Sequence, residues 1–187
     1  MTARVEQPRR RLVLHGSAAI LVSALSALQA CTTGPGIRAA DPPTQGRLLL
    51  RMDASASQAA QSLSATFELQ GDDNHGELRL YSPLGTRLVT ASWSALGVQL
   101  STPQGEQSFN SLDALSEQVL GQSVPLAALP DWLAGRPWAR AGHQRRPEGF
   151  EQLGWEVTTL RLAEGQLDAR RTAAPSVLLR VRLELPS

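Results

Sequence analysis

The sequence predicts a mainly β domain with a helical interruption: a meandering antiparallel sheet, curved or closed, packed with short helices. Three observations carry this. Several runs alternate apolar and polar residues with a period of two, most cleanly at 61–70 and 177–185. Turn sequences, Ser82-Pro83-Leu84-Gly85 and Thr102-Pro103-Gln104-Gly105, separate such runs at short spacing. Between 110 and 135 the apolar spacing changes to three and four, the period of a helix with one buried stripe.

The elements follow in order. Residues 47–52 make a first strand. In 61–70, Leu63, Ala65, Phe67 and Leu69 share one face, and Ser62, Ser64, Thr66 and Glu68 share the other. Residues 77–81 repeat this with Leu78 and Leu80 inward, and 87–93 and 96–101 continue the series, placing Val98 and Leu100 on the inner face. Asn110 or Ser111 caps a helix running through Val119 and Leu120, with Gly121 just past its end and a stripe of Leu112, Leu115, Val119 and Leu120. Pro125 opens a second short helix whose inner side carries Leu126, Leu129, Trp132 and Leu133, ended by Gly135. Strands return at 154–162 and at 177–185, where Val177, Leu179, Val181, Leu183 and Leu185 alternate with polar neighbours or leucine.

The first thirty residues stand outside this pattern. Arg4, Arg9, Arg10 and Arg11 precede an uncharged run, 12–28, that is too short to span a bilayer and closes on small residues, as signal peptides do. Leu28-Gln29-Ala30-Cys31 looks like a bacterial lipobox, and Cys31, the single cysteine of the chain, has no partner for a disulfide. Residues 1–30 are therefore expected to be cleaved and Cys31 to carry the lipid. Residues 31–45, rich in Pro, Gly, Thr and Ala, form a tether, and 46–187 the folded domain. Removing residues 1–30 leaves 14 basic and 16 acidic residues of the original 18 and 17, a net charge of about −2. No basic stripe interleaved with aromatics exists, so a nucleic-acid partner is not expected.

No catalytic set can be assembled. His75 lies in a Gly- and Asp-rich turn and His143 in an Arg-rich loop, and no nucleophile elbow, zinc helix or cysteine–histidine cluster is present, so neither a metal nor a cofactor is expected. Asp72-Asp73 reads as a solvated hairpin turn rather than a pair of catalytic acids. Leu84 is unusual, an aliphatic residue at the tip of a Pro-Gly turn. It either folds back onto the core or stands in solvent. Trp132, Trp138 and Trp155 are either core packing or the wall of a large apolar pocket.

The ordered set of segments resembles the LolB family. Leu80-Tyr81-Ser82-Pro83-Leu84-Gly85 is similar to the family's strand and Pro-Leu-Gly loop. Val98-Gln99-Leu100 and the helix 113–120 follow. Gly121-Gln122-Ser123-Val124-Pro125-Leu126 with Leu129, Trp132-Leu133 and Gly135 resembles its most distinctive stretch, and Phe150, Gln152, Gly154 and Trp155 resemble its F-x-Q-x-G-W segment. The resemblance implies an incomplete antiparallel β-barrel, closed on one side by short helices around a hydrophobic cavity. It implies an outer-membrane receptor that takes acylated lipoproteins from the periplasmic carrier LolA and inserts them into the outer membrane. It gives the loop Pro83, Leu84 and Gly85 a part in membrane insertion. Candidate cavity residues are then Leu63, Phe67, Leu78, Leu80, Val98, Leu100, Leu115, Leu129, Trp132 and Trp155. Thr32, after the lipid-bearing cysteine, is compatible with outer-membrane sorting. Such a receptor is expected to be monomeric and without enzymatic chemistry. Its partners are the carrier, the acyl chains of its clients and, through its own anchor, the inner leaflet of the outer membrane. From the residues alone a second class stays open: a lipid-anchored structural or assembly subunit whose sheet edge pairs with another protein. A hydrolase is disfavoured by the missing nucleophile and base.

Overall fold

The computed structural model describes residues 42–56 and 59–185; residues 1–30, expected to be a signal peptide, and Cys31 lie outside them. Eleven strands form one antiparallel sheet: β1 (Thr44–Met52), β2 (Gln61–Gly71), β3 (Gly76–Tyr81), β4 (Arg87–Ser94), β5 (Gly97–Thr102), β6 (Gly105–Phe109), β7 (His143–Arg146), β8 (Gly149–Gln152), β9 (Trp155–Thr158), β10 (Gln166–Arg171) and β11 (Val177–Leu183). The spatial order is β6-β5-β4-β3-β2-β1-β11-β10-β9-β8-β7. Two meanders, β1–β6 and β7–β11, are thus joined where β1 pairs with β11. The terminal strands β6 and β7 do not pair with each other, so the barrel is incomplete. The segment between them in sequence carries α1 (Leu112–Leu120), a 3-10 turn (Leu126–Ala128) and α2 (Leu129–Leu133).

The period-two strands bury the side chains that their patterns point inward. Ala65, Phe67 and Leu69 of β2, Ala91 and Trp93 of β4, and Val177, Leu179 and Val181 of β11 all belong to one apolar core. Gly76 is required by close approach. A Cβ there would stand 2.4 Å from the Trp93 ring, whose Nε1–H donates to the Asp72 carbonyl at 2.7 Å.

Several expectations need correction. Strands β6, β7, β8 and β10 fall where no strand is expected, and His143 lies in β7 rather than in a loop. The strand expected over 154–162 stops at Thr158, and a 3-10 turn follows at Leu162–Glu164. Leu96 belongs to the turn before β5, and Leu185 lies past the end of β11, exposed. The buried residues of α1 are Leu112, Leu115 and Ser116, with Val119 half exposed. Ser111 caps this helix, its Oγ accepting from Ala114 N–H, and Gly121 ends it in a left-handed conformation. Pro125 precedes a 3-10 turn before α2 begins at Leu129.

Candidate functional site: an apolar cleft and an exposed loop

Under α1, the inner face of the sheet leaves a cleft of about 100 Å³ with no polar lining residue. Six of the ten candidates line it: Leu63, Leu78, Leu80, Leu100, Leu115 and Leu129. Leu48, Leu50, Val89, Val124, Leu126 and Leu179 join them. The same period-two argument that selects Leu63 and Leu78 would have found the strand members. Val119 lines the cleft while remaining 48% exposed, so the C-terminal end of α1 forms part of its mouth.

The other four candidates are packed elsewhere in the core. Phe67 is 1% exposed, and Val98 is buried on β5. Trp132 and Trp155, 0% and 1% exposed, lie with ring centroids 6.1 Å apart, and the Phe150 ring meets Trp132 edge-on at 6.4 Å. Large aromatics here fill the space between α2 and the β8–β9 hairpin instead of bounding an opening. At the centre of this cluster is Gln152, 2% exposed. Its Oε1 accepts from Trp132 Nε1–H and from Trp138 N–H, both at 2.9 Å. Its Nε2 donates to the carbonyls of Trp138 at 2.8 Å and Ala141 at 2.9 Å. The motif residues Phe150, Gln152 and Trp155 thereby hang α2 and the following chain on the sheet.

Asp73 is likewise more than a solvated turn residue. Its Oδ2 accepts from Trp138 Nε1–H at 2.8 Å and pairs with Arg140 Nε at 2.6 Å, tying the β2–β3 turn to the segment after α2. Neighbouring Asp72 is half exposed. The backbone N–H groups of Asn74 and His75 donate to its carboxylate and hold it below the ordinary value of 3.8. His75 and His143 are exposed, and among the described residues no cluster of three or more metal-ligating side chains forms.

The β3–β4 turn places Leu84 in solvent. Gly85 N–H donates to the Ser82 carbonyl at 2.9 Å and Ser82 N–H to the Thr86 carbonyl at 2.8 Å, leaving Pro83 and Leu84 at the tip. Gly85, at φ +82°, completes the reversal in a region that residues with a Cβ rarely adopt. Leu84 is 94% exposed, which excludes the folded-back alternative. Leading into the turn, the Tyr81 hydroxyl donates to Glu68 at 3.0 Å, which holds the phenol above its ordinary 10.0. Leu80 and Val89, cross-strand partners flanking this turn, both line the cleft, so loop and cleft share one end of the sheet. Leu96, fully exposed, sits at the opposite end of β4.

Next to the cleft residue Val124 is a contact that the sequence pattern does not predict. Arg171, on β10, donates to the Ser123 carbonyl at 3.1 Å, to Gln122 Oε1 at 2.6 Å and to the Pro175 carbonyl at 3.3 Å. Its guanidinium lies 5.8 Å from the Trp155 ring centroid, and its buried Nε has no partner. It fastens the loop after α1 to the sheet without any carboxylate. Nothing in an Arg-Arg pair within an unrecognised strand signals this.

No helix among the described residues is long and apolar enough to cross a membrane. Residues 45–184 match a family model described as "Outer membrane lipoprotein LolB". Proteins named outer-membrane lipoprotein LolB are similar in sequence. That of Ralstonia nicotianae is 36% identical over 120 residues, covering 60% of this chain and 56% of the relative. That of Cupriavidus metallidurans is 30% identical over 132 residues, 67% of this chain and 63% of the relative. That of Alkalilimnicola ehrlichii is 30% identical over 163 residues, 80% of each. The chain thus spans less than two thirds of the first two relatives.

Proposed function

Since this chain belongs to the LolB family of outer membrane lipoproteins, we propose that it is a lipid-anchored receptor. It takes acylated lipoproteins from the periplasmic carrier LolA and inserts them into the outer membrane. Cys31 carries its own lipid. One acyl chain anchors only marginally, so two or three on this cysteine are needed to hold it.

One observation carries the reading: a wholly apolar cleft opens at the end of the sheet where an exposed leucine loop projects. Burying a methylene is worth about 0.8 kcal/mol, so acyl chains cannot cross water unescorted and need such a lining. At about 100 Å³ the cleft is smaller than the ~150 Å³ cavity that accepts a benzene, so an acyl chain requires it to widen. Admitting an acyl chain means moving α1 and the 126–128 turn away from the sheet. Transfer then runs down a gradient of affinity, from carrier to receptor to bilayer.

Leu84 supports the last step. In solvent it adds little to folding, while its burial at a bilayer interface gains roughly 1.5–3 kcal/mol. A glutamate there would have to stay in water. Leu84→Glu is expected to keep the melting temperature and transfer from the carrier, and to slow incorporation of a client into liposomes. Leu96→Glu, equally exposed at the far end of β4, is the control and should insert clients normally. Equal loss of insertion by both variants, or a fall in stability parallel to the loss in Leu84→Glu, would remove the insertion role.

A further inference from the structure

The outer face of the sheet carries a feature that a cleft-and-loop receptor does not use. On three adjacent strands, the side chains alternating with the buried core residues are Arg47, Leu49 and Arg51 of β1, Leu178, Arg180 and Arg182 of β11, and Gln166, Asp168 and Arg170 of β10. In register, Arg47 stands directly opposite Arg182, and Leu178 lies between Arg51 and Arg170. Only Arg180 is paired, with Asp168 at 2.8 Å. Arg47, Arg51, Arg170 and Arg182 are exposed, and none makes an ion pair or a hydrogen bond through its guanidinium. Like charges facing each other across a strand pair oppose folding unless an anion joins them. Every one of the chain's 18 basic residues is arginine, the side chain whose planar fork binds phosphate through two parallel hydrogen bonds.

At one end this face is indented. Arg51, Asp53, Ser62, Arg170, Ser176 and Leu178 line a surface cleft of about 500 Å³, the Asp53 carboxylate being engaged by the Ser176 hydroxyl. Two arginines about 10 Å apart across the strand that carries Leu178, with serine hydroxyls beside them, match a phosphodiester headgroup, although Glu156 stands opposite Arg170 on β9.

We propose that this outer face, from Arg47 and Arg182 to the cleft between Arg51 and Arg170, binds anionic phospholipid headgroups and lays the sheet against the bilayer. The choice of occupant comes from the tether. Twelve residues, 32–43, separate the lipid-bearing cysteine from β1, the strand that carries Arg47 and Arg51. They reach at most about 45 Å, against about 30 Å for the nine residues of β1. A membrane surface is therefore always within reach of this face, whereas an acidic protein would have to be recruited to it. The inference rests on the proposed lipid anchor but is tested without it.

The whole mature chain, residues 31–187 with Cys31→Ser so that no acyl group attaches, is mixed with vesicles of phosphatidylcholine alone or with an equal part of phosphatidylglycerol. Co-sedimentation should require the anionic lipid and weaken with salt. Arg47→Gln with Arg182→Gln, and separately Arg51→Gln with Arg170→Gln, should each weaken binding by roughly fivefold per arginine, while melting temperatures hold or rise. Arg145→Gln with Arg146→Gln removes the same charge from β7 and should change binding far less. Equal binding to both vesicle types overturns the proposal. So does an equal effect of the β7 pair, or binding of soluble polyglutamate without binding of vesicles, which would mark the face as a site for an acidic protein. Fatty-acid labelling of the unsubstituted chain reports on the anchor separately.

Discussion

Gln152 shows how much one buried polar residue can organise. All four of its side-chain hydrogen-bonding positions are used, joining β8 to Trp132 of α2 and to the backbone at Trp138 and Ala141. Gln152→Leu leaves the indole N–H, one backbone N–H and the Ala141 carbonyl unanswered, while the Trp138 carbonyl keeps the Ala141 N–H. It is expected to cost at least about 3 kcal/mol in urea unfolding, since each orphaned buried group costs about 1–3 kcal/mol. Phe67 belongs to the solid part of the core, so Phe67→Ala should cost about 3–5 kcal/mol and leave binding of an apolar probe to the folded fraction unchanged. The contribution of Asp72 depends on pH. Its folded value is depressed by two backbone donors, so its stabilisation is complete above the ordinary 3.8 and is lost as pH falls through the folded value. The difference in melting temperature between wild type and Asp72→Ala should therefore be constant near neutrality and shrink in acid. With this side chain about half exposed, the difference is small.

At the scale of elements, Arg171 ties the loop after α1 to β10. Arg171→Ala should lower the melting temperature by a few degrees and speed uptake of a fluorescent apolar probe, because the segment that must move to widen the cleft is released. Slower uptake, or no change, would mean that α1 moves about some other point. This latch was illegible in the sequence for the same reason as its strand. Gln166–Arg171 buries only Leu167 and Ala169 between charged neighbours, and a small inward alanine gives the period little contrast. Strand β7 buries nothing, β6 only Phe109, and β8 presents a glutamine to the core. Edge strands and polar cores do not announce themselves by hydropathy. Strands β2 and β11 were readable because both contribute a full row of apolar side chains. α1 was readable because Ser111 and Gly121 mark its ends. Six of the ten proposed cleft residues line the cleft for the same reason. Phe67, Val98, Trp132 and Trp155 do not, because inward direction alone cannot tell a wall from a filling.

For the molecule as a whole, the anchor is the first test. Cys31→Ala should abolish metabolic labelling by a fatty acid, and equal label on both proteins would sink the lipoprotein reading. Geometry then sets what the anchor permits. The first residue of β1 lies at the end of the sheet carrying the β2–β3 turn, and Leu84 lies at the other. The ~45 Å reach of residues 31–43 exceeds the ~30 Å length of β1, so, with Cys31 lipidated as proposed, the loop can face the leaflet that holds the lipid. The unjoined β6 and β7 have a different consequence. A barrel left open presents two unpaired backbone edges, each a template for pairing with any extended chain. A receptor handling other proteins' chains would be prone to co-aggregate with them. The same polarity that hid these strands in the sequence protects them: β6 presents Glu106, Gln107 and Ser108 to solvent, and β7 presents His143, Gln144, Arg145 and Arg146. Arg145→Val with Arg146→Val should therefore leave the monomer folded yet make it sticky, forming β-rich oligomers on concentration that the parent protein does not form.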